Sequence, residues 1–152
     1  MKFTLPKSLA AFTLALLPLV TLAQASPVGL WKTIDDKTGQ PRSLVRLSEN
    51  AGMIEGKIEK TFPREGEKPS EVCDKCTDER KGKPMIGLPI MKGYKKDEEN
   101  ANKWIGGEIL DPNNGKVYKS TLTLIEGGAK MDVRGYIGAP LFGRNQTWIR
   151  EP

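Results

Sequence analysis

From Gly29 to the end, the chain is written in short alternating runs separated by turn chemistry, and that pattern leaves little room for anything but an antiparallel sheet. The cleanest run is Met53–Glu59. It puts Ile54, Gly56 and Ile58 on one face and Met53, Glu55, Lys57 and Glu59 on the other, so one side is buried. Gly29–Ile34 and Arg42–Ser48 precede it, divided by Asp35-Asp36-Lys37-Thr38-Gly39, and Glu49-Asn50-Ala51-Gly52 leads into it. The same grammar returns in Lys103–Leu110, Val117–Ile125, Lys130–Ile137 and Arg144–Arg150. Asp111-Pro112-Asn113-Asn114-Gly115 joins the first two of these with an Asn-Gly hairpin signal. In Lys130–Ile137 the inward set is Met131, Val133, Gly135 and Ile137, against Lys130, Asp132, Arg134 and Tyr136. Glycines inside strands (Gly56, Gly106, Gly107, Gly135) mark bulges or the bends of a closing sheet. No segment after residue 26 carries a long helical stripe.

The fold class expected is therefore all-β, a meander, a sandwich or a small antiparallel up-and-down barrel, with a long middle loop. That middle, Thr61–Asn102, is the one stretch without clear alternation, and it holds four prolines. A structureless loop of that length is uncommon in a compact domain. At least one further strand near Ile86–Tyr94 is expected there, with a short helix as an option and Lys95–Asn100 as an exposed turn.

Ahead of these strands stands a three-part leader. Lys2 and Lys7 give a basic start, Leu9–Val20 is uncharged and apolar, and Ala23-Gln24-Ala25 supplies a small-x-small cleavage site. Pro18, Thr21 and Gln24 interrupt the apolar stretch, which falls short of the ~20 residues a spanning helix needs. Residues 1–25 are expected to be removed as a signal peptide. Residues 26–152 then form one domain that is periplasmic or secreted, with no membrane-spanning segment and no cysteine at the cut for a lipid anchor. Losing Lys2 and Lys7 takes the net charge from +5 to +3. That is a mildly basic surface, short of a nucleic-acid footprint, so no nucleic-acid partner is expected.

The chain has no histidine. Ser-His-Asp and Cys-His nucleophile pairs are excluded, as is any His-ligated metal site, and neither metal nor cofactor is expected. The only close acidic pair at a strand end is Glu108 and Asp111, where one raised carboxyl pKa would be needed for acid–base work. Cys73-Asp74-Lys75-Cys76 has three readings. A thioredoxin-like redox pair needs a helix start in an α/β fold, and a four-thiolate zinc site needs two more cysteines. A structural disulfide in an oxidising compartment needs neither and is the first choice. Its loop is short enough that the chain-entropy contribution is only ~2 kcal/mol, so its work is local, pinning the middle segment.

In a closed barrel the first and last strands are neighbours. An arginine at the end of the chain can then lie over Trp31, a cation–π contact of ~0.5–2 kcal/mol. Gly29-Leu30-Trp31 near the start, with Trp148 and Arg150 on the closing strand, resembles the lipocalin-like or calycin barrels. The resemblance gives Trp31, Trp148 and Arg150 a structural role in closing the barrel and no ligand role. A denser set of matches runs through Gly29–Asp35, Cys73–Cys76 with Arg80–Leu88, Trp104–Pro112, Arg134–Gly138 and Gly143–Arg150. On these the chain resembles the secreted bacterial family catalogued as domain of unknown function 2147. The resemblance implies an exported lipocalin-like barrel whose ligand and role are not established, and it supplies no catalytic residue.

The function expected first is a binding module that takes a small apolar or amphipathic molecule into the barrel. Arg134, Tyr136, Asp111, Glu108 and Arg144, near the closing seam, are the candidate mouth residues. Alternation puts Arg134 and Tyr136 opposite Met131 and Val133, which also leaves them open to reading as outer-wall residues. The second expectation is an envelope structural or protein-interaction module whose barrel is filled by side chains such as Met131, Leu122, Leu124 and Trp104. An enzyme comes third.

Overall fold

Alternation closes on itself in the computed structural model, which describes residues 25–152. Eight antiparallel strands run β1 Gly29–Ile34, β2 Pro41–Asn50, β3 Met53–Thr61, β4 Pro89–Lys96, β5 Lys103–Asp111, β6 Lys116–Ile125, β7 Lys130–Tyr136 and β8 Arg144–Glu151. Each pairs with the next, and β8 returns to β1, giving a closed up-and-down barrel. Closure gives every strand a neighbour on both sides, so the sheet has no edge strand among the described residues. No helix among the described residues is long and apolar enough to cross a membrane. The leader reading, residues 1–25, lies outside the described residues except for Ala25.

The inward residues are those the alternation selects. Val45 and Leu47 on β2, Ile54 and Ile58 on β3, Leu122 and Leu124 on β6, and Met131 and Val133 on β7 are all buried. Glycine makes room where two walls approach. A Cβ on Gly107 would stand 2.3 Å from the Tyr94 ring, so only glycine lets that ring lie flat against β5. The β5–β6 register shifts between Trp104 and Gly107, at the positive-φ Gly106, which bends the wall there.

Three expectations change. Ile137 leaves the inward set because β7 stops at Tyr136, and beyond the strand the period of two no longer directs a side chain; Ile137 is exposed. The extra strand of the middle segment is β4, beginning at Pro89, and residues 62–88 hold no helix. Lys95 and Lys96 belong to β4, and the turn follows them.

Candidate functional site

The strand order gives the barrel two unlike ends. One gathers the β2–β3, β4–β5 and β6–β7 turns with both chain ends of the barrel. The other gathers residues 35–40, 62–88, 112–115 and 137–143.

The first end is a floor. Trp31 and Arg150 are register partners across β1 and β8, and the guanidinium lies 4.2 Å from the indole centroid. Trp31 Nε1 donates to Pro27 O at 2.7 Å. Above this pair, Val45, Leu47, Ile54, Met91, Tyr94, Trp104, Leu122, Leu124 and Met131 form the part of the buried core that lines no cavity at the other end. Tyr94 Oη and Ser120 Oγ are buried there without a hydrogen-bond partner among the described residues, and burial pushes the Tyr94 phenol pKa up.

The second end is open. A cavity of about 750 Å³ enters the upper half, with Ile58, Ile90, Leu110, Val133 and Trp148 as its deep apolar wall. That volume falls in the ~300–1,000 Å³ span of small-molecule sites. Polar groups ring the entrance: Asp35, Arg42, Arg64, Glu67, Asp111, Tyr118, Arg144 and Gln146.

The middle segment crosses this entrance as a folded lid. Cys73 and Cys76 stand at disulfide distance, Cα to Cα 5.5 Å, and both are buried. Around them Cys73 N donates to Lys83 O at 2.8 Å and Met85 N to Glu71 O at 2.8 Å, a small hairpin of its own. Its tip reaches the β5–β6 turn, where a Cβ on Gly115 would fall 1.7 Å from Lys75 O. A disulfide of this kind suggests an oxidising compartment.

Ion pairs tie the near side of the lid to the rim. Arg42 Nη1 meets Glu67 Oε2 at 2.9 Å, and the Arg64 amide donates to the same oxygen at 2.8 Å. Arg64 also pairs with Asp35, whose Oδ1 accepts from the Lys37 and Thr38 amides at 3.0 Å each. The Arg64 guanidinium, aided by those amides, holds the Asp35 carboxyl well below its usual range. Arg42 pulls Glu67 down to about 2. Across the rim, Arg144 pairs with Asp36 and lowers its pKa.

The residues singled out from the sequence separate. Asp111 and Arg144 line the cavity entrance. Arg134 and Tyr136 face the outer wall, and Arg134 is occupied with the backbone of residues 140–141. Glu108 is exposed and sits 3.5 Å from Lys92, so it shares no pocket with Asp111. Trp148 lies in the cavity wall, two residues up β8 from the floor pair. The rim groups contributed by Asp35, Arg42, Arg64 and Glu67 were not singled out. Three of them lie in loops or at a strand end where alternation is silent, and only the path of the lid brings them together.

A family model described as "Uncharacterized protein conserved in bacteria (DUF2147)" matches residues 29–150. No curated protein sequence matches the chain. Among solved structures, one described as "Protein HP1028 from the human pathogen Helicobacter pylori belongs to the lipocalin family" aligns with a TM-score of 0.70, over 84% of each chain, at 16% identity. At that identity the likeness is one of fold.

Proposed function

The chain belongs to the bacterial family DUF2147, and on that premise we propose that it is an exported, non-catalytic binding protein that holds one small apolar or amphipathic molecule in the upper half of its barrel. The observation that carries this reading is the cavity of about 750 Å³, whose lining joins buried apolar side chains to charged and polar ones. Such a site removes a hydrocarbon tail from water at ~25 cal/mol per Å² while leaving a polar head among the rim groups. Export rests on the leader of residues 1–25 and agrees with the Cys73–Cys76 pair, since such bridges persist in oxidising compartments. The lipocalin-like fold is compatible with the reading but does not supply it, because function belongs to sites.

The fully packed barrel loses ground on the same observation. Met131, Leu122, Leu124 and Trp104 are buried in the interior, but none of them lines this cavity. The test is native mass spectrometry and lipid extraction of the protein purified from cells that express the full-length chain. One co-purifying small molecule per chain supports the proposal. Protein free of any bound molecule, with no thermal shift across a panel of fatty acids and phospholipids, overturns it.

A further inference from the structure

Among the described residues, the large apolar side chains most exposed to solvent are concentrated at one end of this barrel. The four most exposed are Leu141 (81%), Phe142 (80%), Ile137 (64%) and Ile86 (57%), and all four stand on loops of the mouth. Three of them share the β7–β8 loop, residues 137–143, which carries no charge. Leaving two such side chains almost wholly in water is costly, at ~1.5–3 kcal/mol each relative to burial.

The tip is also built to leave water. Pro140–Phe142 form a single 3-10 turn. Arg134 reaches up from the outer face of β7 and donates to Pro140 O through Nε at 2.8 Å and Nη2 at 2.6 Å, and to Leu141 O at 3.3 Å. Its remaining Nη1 is held by Asn145 Oδ1 at 2.8 Å. With the Pro140 and Leu141 carbonyls already satisfied, the turn enters an apolar medium at a lower cost in bare acceptors. The wall below holds two lysines outside any ion pair among the described residues, Lys116 and Lys119, and Lys119 is the register partner of Tyr136 beside the loop. Glu108 lies between Lys92 and Lys119 in one cross-strand row, and Lys116 stands at the rim. Of the nearby acids, Asp36 is paired with Arg144, while Asp111, the register partner of Lys116, and Asp132 keep their charge.

We infer that Leu141 and Phe142 insert into the interfacial layer of an anionic phospholipid bilayer and seat the barrel mouth-down upon it. A projecting apolar point flanked by cations suits a bilayer, which offers a deformable apolar layer beneath negative headgroups. It suits a protein partner less well, since the loop offers neither a groove nor a flat face. The value of this docking rests on the carrier reading above, for it sets the cavity entrance against the source of an apolar ligand.

Flotation with vesicles of phosphatidylglycerol and phosphatidylethanolamine, against vesicles of phosphatidylcholine alone, tests the inference. The protein is expected to float with the anionic vesicles, less so as salt is raised. L141D/F142D is expected to lose roughly tenfold or more of that binding while keeping the wild-type thermal midpoint. K116E/K119E is expected to weaken it several-fold without touching the tip. No vesicle binding, equal binding by L141D/F142D, or a dimer in sedimentation that this pair of substitutions dissolves would each overturn the docking. Loading of a soluble fatty acid into L141D/F142D separates the two proposals. Retained loading with lost flotation means the tip docks and the cavity binds independently. Flotation by a wild-type protein that loads nothing leaves the docking standing and removes the carrier.

Discussion

Arg150 lies 4.2 Å above the centre of the Trp31 indole, and its hydrogen bonds go to three backbone carbonyls: Gly128 at 2.7 Å, Val28 at 2.9 Å and Ser26 at 2.6 Å. No carboxylate pairs with it among the described residues. The guanidinium is a clasp that joins the segment before β1, the β6–β7 turn and the closing strand. Burial pulls its pKa down from the usual arginine value, which leaves it charged at any physiological pH.

Removing the clasp leaves three carbonyls short of a donor and an indole face uncovered. Arg150→Ala is expected to lower stability by about 2–4 kcal/mol in urea denaturation. Arg150→Lys keeps the charge but not the planar fork, so it is expected to recover less than half of that loss. Equal stability of the alanine variant and the wild type would remove the clasp from the account of closure.

Gly115 is where the lid meets the barrel. Its φ of +73° favours glycine, and any Cβ would collide with Lys75 O. Gly115→Ala is expected to cost about 1–3 kcal/mol, and most of the damage should fall on the lid. In hydrogen exchange, the Cys73 and Met85 amides, bonded to Lys83 O and Glu71 O, should exchange faster while β2–β3 amides keep their protection.

Acid should loosen the same lid from its other side. Asp35 and Glu67, whose pairs with Arg64 and Arg42 hold the lid, have folded pKa values below their ordinary 3.8 and 4.5. A depressed folded value means the stabilisation is fully present above that ordinary range and is lost as pH falls through the folded value, about 2 for Glu67. Urea midpoints should therefore drop between about pH 4 and pH 2, and Glu67→Gln should show a shallower drop over the same window. An identical pH profile for the variant would mean the Arg42–Glu67 pair does not hold the lid.

The barrel was legible because alternation is local. Ile54, Gly56 and Ile58 declare an inner face within a single strand, and closure then makes β1 and β8 neighbours. The same rule misleads once a strand ends, as at Ile137, which continues the period on paper but stands beyond Tyr136. The lid was legible only as a proline-bearing gap with a cysteine pair. Its course depends on contacts between residues far apart in the chain, Arg64 with Asp35 and Lys75 with Gly115, which no spacing encodes. Whether the interior is hollow was open for a related reason. Met131, Leu122, Leu124 and Trp104 are large enough to fill a barrel, and only three-dimensional packing shows that they leave a cavity beside them.

The upper half decides what this protein is for, and a titration with a lipophilic fluorophore, read by energy transfer from the tryptophans, addresses it directly. Trp148 stands in the cavity wall and Val133 lines the same space. Saturation at one fluorophore per chain is expected, with affinity falling roughly tenfold or more in a folded Val133→Trp variant that narrows the space. Unsaturable binding, or a variant that binds as well as the wild type, would contradict a ligand held inside the barrel.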